Sequence, residues 1–276
     1  MSSPAVTVFT TFHEPDDYLY ETIASVLAQT FTDFELLLVC DGDPLRCREV
    51  LERVADPRLR LVHEDFTGRA IGKQLRMMLC RNRGFAEARA GLMALLDADD
   101  VAEPERLATQ VAFMRKHPEC VLVSSAITIV DEHSRAVGVR RYAGCDEEIR
   151  RAMLAFNCIA QSAVMLRRDV AVAAGAYGPE VNFAEDYDLW LRMLTRGRFH
   201  NLPQPLTRYR IHSRQGKAVI TRLQLRDTLR VKWKAVRRYG LRPSPKAVVV
   251  SLLQLPLLLL PPGFVYWLFR RVMLRV

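Results

Sequence analysis

Residues 92–100 read LMALLDADD, an apolar run that leads directly into three aspartates, Asp97, Asp99 and Asp100. A run of this length suits a strand and is too short for a helix, and parallel sheets buried on both faces produce such runs. Ligands of these α/β proteins bind at the carboxyl ends of the strands. The stretch therefore predicts a buried parallel strand that ends in carboxylates at a binding site.

The spacing of Asp97 and Asp99 leaves two interpretations open. A turn after the strand would let both carboxylates reach one hard cation, because such cations prefer oxygen ligands. Alternatively, the aspartates form an acidic turn that caps the helix predicted to begin near Pro104. The spacing alone does not decide between a metal site and a helix cap.

Strands and helices alternate on both sides of this stretch. Before it, the pattern predicts strands over 5–11, 34–40 and 58–63, with helices over 17–29, 44–55 and 73–90. After it, the pattern predicts helices over 104–116 and 185–195, with strands over 121–130, 162–166 and 206–211. The alternation is typical of an α/β fold with a doubly wound sheet. We expect a globular domain over residues 1–215 and a distinct tail over 216–276.

Two further acidic clusters stand at the ends of predicted elements. Asp41 and Asp43 follow the apolar run FELLLVC, although Asp-Gly is also an ordinary turn sequence. Glu185, Asp186 and Asp188 crowd the first turn of a helix, where negative charges also interact favourably with the helix dipole. Because three acids within four residues exceed what capping needs, one of them, held near a metal, could act as a general base.

Three blocks of the sequence resemble the successive motifs of family 2 glycosyltransferases of the GT-A fold. The blocks are VTVFTTFHEPDDYLYETIASVLAQTFTDFELLLVCDGD, LLDADD and AEDYDLWLRMLTRGRFHNLPQPLTRYRIH, in the order and spacing of the family over residues 5 to about 215. The resemblance implies a Rossmann-like, mostly parallel sheet flanked by helices. It also implies an enzyme that moves a sugar from a nucleotide-sugar to an acceptor hydroxyl in a single inverting displacement.

The resemblance further implies roles for individual residues. The donor nucleotide-sugar would be bound by Thr10, Glu14, Asp41, Arg81 and Asp97. A Mg²⁺ or Mn²⁺ ion on the donor diphosphate would be held by Asp97, Asp99 and His212. Asp186 would be the base that takes the proton of the acceptor hydroxyl, with Glu185 beside it on the acceptor side.

The sequence departs from the usual pattern of the family at several places. Thr11 to Glu14 read TFHE where relatives usually have Pro-x-Tyr-Asn-Glu, and Cys40 replaces the first acid of an Asp-Asp-Gly motif. Gln161 stands where many relatives have His. These differences concern the recognition of nucleotide and acceptor more than the class of reaction.

Charge divides the chain into two unlike parts. The 276 residues carry a net charge of +9, but residues 200–276 hold 16 Lys and Arg against one acid, Asp227, and residues 1–199 carry a net −6. Basic residues recur every four positions from Arg222 to Arg238, which predicts a basic helix face beside an apolar one. Such helices lie on anionic membranes. Nucleic acid is a disfavoured partner because no aromatic stacking platform accompanies the charges.

Residues 247–269 contain no charged residue and are long enough for a transmembrane helix. However, Pro256 and the Pro261-Pro262-Gly263 run interrupt the segment, and a single span would place a basic end outside, against the positive-inside tendency. A re-entrant or in-plane anchor with Tyr266 and Trp267 at the interface is therefore favoured over a span. A buried hairpin of a soluble protein is the third alternative.

Six cysteines are scattered without a CxxC pair or zinc-like spacing, which predicts free, buried thiols in a reducing compartment. The N-terminal sequence lacks the basic start and apolar run of a signal peptide. We therefore expect a protein at the cytoplasmic face of the cell membrane, either peripheral or anchored by its C-terminal tail. Its expected partners are a nucleotide-sugar, a glycan or lipid-linked acceptor, and the anionic membrane surface.

The leading hypothesis is a metal-dependent glycosyltransferase that uses a UDP-sugar in the synthesis of surface polysaccharide or glycoconjugate. The alternative is a noncatalytic protein that binds sugar-nucleotides or glycans on the same fold. The presence of Asp97, Asp99 and Asp186 argues against the alternative, because binding alone needs neither a metal site nor a base.

Overall fold

The computed structural model of the protein describes residues 3–181, 183–212, 217–261 and 263–265. The strands are β1 (Val6–Phe12), β2 (Phe34–Cys40), β3 (Leu59–His63), β4 (Leu92–Leu95), β5 (Val101–Ala102), β6 (Cys120–Val130), β7 (Ala136–Arg140), β8 (Met165–Arg167) and β9 (Arg198–Arg210). The α-helices are α1 (Asp17–Leu27), α2 (Pro44–Arg53), α3 (Lys73–Glu87), α4 (Arg106–Lys116), α5 (Asp146–Met153), α6 (Arg168–Ala173), α7 (Glu185–Leu194), α8 (Lys217–Arg237) and α9 (Pro245–Gln254). Short 3₁₀ turns lie at Gln161–Ala163 and Pro256–Leu259.

The strands form one mixed sheet in the order β3-β2-β1-β4-β8-β6-β9-β5, and β7 pairs with β6 outside this path. The first four strands in this order are parallel, β8 runs antiparallel to both β4 and β6, and β9 is parallel to β6. The predicted α/β fold with helices flanking the sheet is confirmed. As a result, the carboxyl ends of β1, β2 and β4 lie at the same edge of the sheet.

Both faces of the sheet are buried, as the continuous apolar runs predict. Along β4 and the residue that follows it, Met93 and Leu95 contribute to one hydrophobic cluster and Ala94 and Leu96 to another, because successive side chains point to opposite faces. The first cluster includes side chains of α3, α5 and α7, and the second includes those of α1, α2 and α4. Both layers hold β4 fixed, and with it the acidic turn that follows.

The largest difference between the predicted and the observed bounds of an element is at β9. It begins at Arg198, whereas the pattern predicts a strand over 206–211. Pro203 and Pro205 hide the first half of the strand from a pattern-based prediction, because proline cannot donate to a ladder. The strand tolerates them where its register shifts, since Leu202 and Pro205 pair with the neighbouring residues Ser125 and Ala126 of β6.

Two of the six cysteines are not free thiols. Cys40, the last residue of β2, forms a disulfide with Cys47 in α2, so the prediction of free thiols is wrong for this pair. The turn from β2 into α2 brings their Cα atoms within 6.4 Å. Cys80, Cys120, Cys145 and Cys158 are free, and all but Cys145 are buried.

The tail packs against the body through α8. Val231 and Ala235 of α8 and Ala247 of α9 are buried in the same cluster as Leu191 of α7. The predicted division of the chain at residue 215 stays a prediction. Within the described residues, no helix has both the length and the apolar character needed to cross a membrane. Tyr266 and Trp267, predicted to lie at a membrane interface, are outside the described residues.

Candidate active site

The turn after β4 holds its three aspartates in different environments. Asp100 is fully buried, and its Oδ1 accepts a hydrogen bond from the Arg210 backbone N–H at 2.8 Å. Asp97 and Asp99 remain partly exposed, and the Ser162 hydroxyl accepts a hydrogen bond from the Asp97 N–H at 2.8 Å. Helix α4 has Glu105 as its N-cap, so the interpretation of the aspartates as a cap of this helix is wrong.

Charge crowding and burial affect the protonation of this turn. Burial raises the pKa of Asp100 well above its usual value, and the charges of Asp99 and Asp97 raise it further. Burial also raises the pKa of Asp97, while the Arg81 guanidinium opposes the shift. Such a cluster of carboxylates is stabilised by a cation, because each charge raises the cost of ionising the next.

Arg81 of α3 connects this turn to α7. Its Nη1 donates to Oε1 of Glu185 at 2.5 Å, and its Nη2 lies 3.8 Å from Oδ1 of Asp97. The guanidinium carbon lies 5.4 Å from the centre of the Tyr177 ring. The predicted contact of Arg81 with the donor diphosphate stays a prediction, and its visible role is to join two acidic clusters.

The three acids at the start of α7 face three different environments. Glu185 is buried against Arg81. Asp186 is half-buried, and its Oδ1 accepts a hydrogen bond from the N–H of Tyr187. Burial and, next, the charge of Glu185 raise the pKa of Asp186 to about 6. Asp188 faces the tail instead, because its Oδ1 lies 3.1 Å from Nζ of Lys234 in α8. Only the first two acids therefore belong to the candidate site.

His212, just beyond the end of β9, lies beside Asp99, which with Asp97 and the intervening Ala98 forms an Asp-x-Asp motif. Its Nε2 is 3.0 Å from Oδ2 of Asp99, and its ring packs on Tyr18 with a centroid distance of 5.3 Å. Arg210, two residues earlier, donates from Nε to the carbonyl of Asp99 at 2.8 Å. The structure thus brings together two of the three predicted metal ligands, Asp99 and His212.

The donor set of this site fits a hard divalent cation. Two ligand atoms bound at right angles to Mg²⁺ or Mn²⁺, each at about 2.1 Å, lie about 3 Å apart. The 3.0 Å between Oδ2 of Asp99 and Nε2 of His212 is a hydrogen-bond distance that would also let both atoms bind one such ion. Within the described parts of the chain, however, no three His, Cys, Asp or Glu side chains are already grouped as metal ligands. Asp97 would have to approach the pair to complete the predicted set.

The predicted nucleotide residues lie at the carboxyl ends of β1 and β2. Oδ1 of Asp41 lies 3.1 Å from Nδ1 of His13, and Oδ2 lies 3.7 Å from Nε of Arg76. Thr10 is buried within β1. Glu14 points elsewhere, because its exposed carboxylate lies 3.5 Å from Nη1 of Arg46 in α2. The structure therefore places Asp41 beside the end of β1, where its N–H donates to the Phe12 carbonyl, and leaves Glu14 at the rim.

A close backbone approach fixes the position of Asp41. A Cβ atom on Gly42 would lie 1.7 Å from the carbonyl oxygen of His13, so only glycine fits at this position. His63 on the neighbouring strand also contacts this turn, with its Nε2 2.9 Å from the Gly42 carbonyl oxygen. The Asp-Gly pair, which the sequence presents as an ordinary turn, is thus part of a tightly packed binding edge.

Sequence reasoning assigned no role to several residues that hold the site together. Gln161 donates from Nε2 to Oδ1 of Asp97 at 3.3 Å, Tyr18 packs on the His212 ring, and Arg210 stacks on Tyr18. The spacing could have indicated Arg210. It precedes His212 by two residues, and residues two apart in a strand point to the same face of the sheet. Gln161 stood out as a departure from the family pattern, but its partner could not be read from the sequence.

Comparison with known proteins agrees with this geometry. The family model described as "Glycosyl transferase family 2" matches residues 7–172. The chain is 30% identical over 217 residues to the O-antigen biosynthesis glycosyltransferase WbnJ of Escherichia coli, covering 76% of this chain and 80% of WbnJ. It is 27% identical over 198 residues to the UDP-Glc:alpha-D-GlcNAc-diphosphoundecaprenol beta-1,3-glucosyltransferase WfaP of Escherichia coli, covering 71% and 73% of the two chains.

Among solved structures, the chain is similar to the mannosyltransferase PcManGT of Pyrobaculum calidifontis in complex with GDP-Man and Mn²⁺. The TM-score is 0.62 with 15% identity, over 99% of this chain and 81% of that one. At this identity the likeness concerns the fold, which is of the GT-A type in both chains.

Proposed function

The chain belongs to glycosyl transferase family 2, and on this basis we propose that it transfers a sugar from a UDP-sugar to an acceptor hydroxyl with inversion at the anomeric carbon. The observation that carries the proposal is the Arg81 bridge between Glu185 and Asp97. It sets the Asp-x-Asp turn, suited to a diphosphate, beside Asp186, suited to an acceptor hydroxyl. A transferase needs these two groups on opposite sides of one reacting carbon.

The donor half of the site lies at the strand ends. Asp41 accepts from the imide of the base, while Thr10 supports this edge from within β1 and Glu14 lies at its rim. Arg81 and Asp97 face the diphosphate and the sugar. The support for this arrangement is that β1, β2 and β4 are adjacent and parallel, so their carboxyl ends open onto one crevice.

Asp99 and His212, joined by Asp97, would hold Mg²⁺ or Mn²⁺ against the diphosphate. The ion would act as a Lewis acid that stabilises the negative charge of the departing nucleoside diphosphate. Tyr18 and Arg210 orient the two ligands, since they contact His212 and the backbone of Asp99. The support from the chain itself is the 3.0 Å spacing of the two donor atoms.

Asp186 takes the proton of the acceptor hydroxyl while that oxygen bonds to the anomeric carbon. In the same step the bond from the anomeric carbon to the diphosphate oxygen breaks, and its electron pair leaves with the nucleoside diphosphate. A pKa of about 6 suits this role, because the group is ionised at neutral pH yet basic enough to accept a proton. Glu185 raises the basicity of Asp186 and borders the acceptor.

The acceptor is a glycan or a lipid-linked glycan, and the reaction belongs to the synthesis of a surface polysaccharide or glycoconjugate at the cytoplasmic face of the cell membrane. The names of WbnJ and WfaP support this choice, one referring to O-antigen biosynthesis and the other to a diphosphoundecaprenol acceptor. The basic composition of residues 200–276 supports the membrane location.

The test is release of nucleoside diphosphate from UDP-glucose, UDP-GlcNAc and GDP-mannose in the presence of Mn²⁺. Wild type is compared with Asp99→Ala and Asp186→Ala, and with Asp33→Ala as the matched control. Asp33 is exposed and precedes β2, so it lies at the opposite edge of the sheet from the site. We expect release by wild type and the control only. Release that survives both site substitutions would disprove the mechanism, and binding without release would favour a noncatalytic protein.

A further inference from the structure

Helix α9 exposes larger apolar side chains than an ordinary surface helix does. Its inward side carries Ala247, which is buried, Val250, which packs on the core, and Gln254, whose Oε1 atom accepts a hydrogen bond from Nζ of Lys232 at 2.8 Å. Its outward side carries large aliphatic residues, including Leu252 and Leu253, which are 60% and 65% exposed. A helix folded on a core normally buries its apolar stripe.

The exposed apolar surface continues beyond the helix. It consists of Val248, Val249, Leu252, Leu253, Leu255, Leu259 and Phe264, and we call it the apolar face of the tail. Leu259 alone is 82% exposed. Monomeric proteins seldom expose so many neighbouring large apolar side chains, and such patches mark interaction sites.

Positive charge accompanies this face along the tail. Seven exposed basic residues belong to the described part of the tail: Arg222, Arg226, Arg230, Arg237, Arg238, Arg242 and Lys246. The acid of this stretch, Asp227, is buried and lies 3.2 Å from Nη2 of Arg226. Trp233, 58% exposed, stands among the arginines of α8. Tryptophan and arginine beside an apolar face are the composition of a membrane interface.

The basic stripe predicted from the sequence needs one correction. Lys234 faces the protein and not the solvent, since its Nζ lies 3.1 Å from Oδ1 of Asp188 and 3.0 Å from Oε2 of Glu180. Tyr239 also donates to Oδ1 of Asp188, at 2.9 Å. These contacts fix the tail to α7, the helix that begins with Glu185 and Asp186.

We propose that the tail docks in the plane of an anionic lipid bilayer, with its apolar face inserted among the acyl chains and its arginines on the lipid headgroups. The inference rests on the proposed function only for the lipid-linked acceptor, which the docked tail would hold near Asp186. We favour lipid as the occupant because anionic headgroups complement the positive charge of the exposed basic residues in the tail. A second copy of the chain would bring two such sets of positive charges together, which like-charge repulsion opposes.

The experiment is co-sedimentation of the purified full-length chain with vesicles, without donor or acceptor. One set of vesicles is phosphatidylcholine, and the other also contains phosphatidylglycerol, whose negative charge attracts basic segments. We expect binding to the anionic vesicles that weakens as salt is raised. Leu252→Ser combined with Leu253→Ser should weaken it at least about tenfold. Both positions are exposed, so the fold should persist, and circular dichroism checks this.

The matched control is Val137→Ser combined with Val172→Ser. These two residues are 58% and 49% exposed, in β7 and α6, and they should not affect vesicle binding. Equal sedimentation of the Leu252/Leu253 variant and wild type would overturn the proposal. Equal binding of wild type to vesicles with and without phosphatidylglycerol would overturn it as well. A wild-type dimer in light scattering that the leucine substitutions dissociate would assign the face to a second copy instead. Because no sugar is present, failure here leaves the glycosyltransferase assignment untouched.

Discussion

Nη1 of Arg81 donates a hydrogen bond to Oε1 of Glu185 over 2.5 Å, between residues 104 positions apart in the chain. Both side chains are buried, and the same guanidinium reaches toward Asp97. A single cation therefore sets the distance between the end of β4 and the start of α7. The consequences of this bond and of the neighbouring geometry can each be tested.

Replacing Arg81 alone should lower the free energy of unfolding more than replacing Arg81 and Glu185 together. Arg81→Ala leaves the Glu185 carboxylate buried and unpaired, so we expect the free energy of unfolding to fall by about 3 kcal/mol. Adding Glu185→Ala removes the unpaired charge, and the double variant should be more stable than Arg81→Ala alone. Urea denaturation measures wild type, the Arg81→Ala and Glu185→Ala single variants, and the double variant. Simple additivity of the two substitutions would contradict a direct charge pair.

The rate of transfer should depend on the ionisation of Asp186. Because its pKa is about 6, we expect kcat/KM to rise as pH increases through this value and to level off above it. The charge of Glu185 contributes to the raised pKa, so Glu185→Gln should move the acidic limb of the profile to lower pH. The measurement is a pH series of UDP release for both proteins. A limb that does not move would exclude this coupling.

Asp186→Asn should stabilise the protein at neutral pH while lowering its activity. Since the pKa of Asp186 is raised on folding, the folded state binds more protons between the usual value near 3.8 and about 6, and stability falls as pH rises through this window. The substitution removes the costly charge, so Tm at pH 7.5 should exceed that of wild type, with less difference at pH 4. Activity should fall by about 100-fold or more, as expected for loss of a general base.

His212→Ala should weaken the response to metal. We expect the Mn²⁺ concentration for half-maximal release to rise at least about tenfold, because even residues that only orient metal ligands contribute that much. His117→Ala is the matched control, since His117 lies at the end of α4 and pairs with Glu119. A titration with Mn²⁺ at saturating donor makes the comparison. The same response in both variants would remove His212 from the metal site.

Gly42→Ala should impair nucleotide binding without altering the proposed metal ligands or the general base Asp186. The added Cβ would meet the carbonyl oxygen of His13 at 1.7 Å, which forces the turn that carries Asp41 away from β1. We expect Kd for UDP, measured by calorimetry, to rise at least about tenfold, roughly the worth of one charged hydrogen bond. Gly91→Ala serves as the control because no atom lies within 4 Å of its added Cβ. Unchanged affinity in Gly42→Ala would indicate that the nucleotide does not use this turn.

The sequence by itself determined the strands that carry the site. β2 was predicted to the residue, and β1 and β4 to within one, because an apolar run buried on both faces has no other stable place in a chain of this kind. It also determined that Asp41, Asp97 and Asp99 stand at strand ends, and its motifs identified the family. These features are local, since each depends on consecutive residues.

Only the tertiary structure decided how the local features meet. The sequence around Asp188 does not indicate that Lys234 is its partner, and the sequence around Cys40 does not indicate that Cys47 is. Such contacts depend on the path of the chain between the two residues. The same holds for the outward apolar side of α9, whose periodicity looks the same whichever side faces the core. Helical spacing defines the faces of a helix, but only packing against the rest of the protein determines which of them is buried.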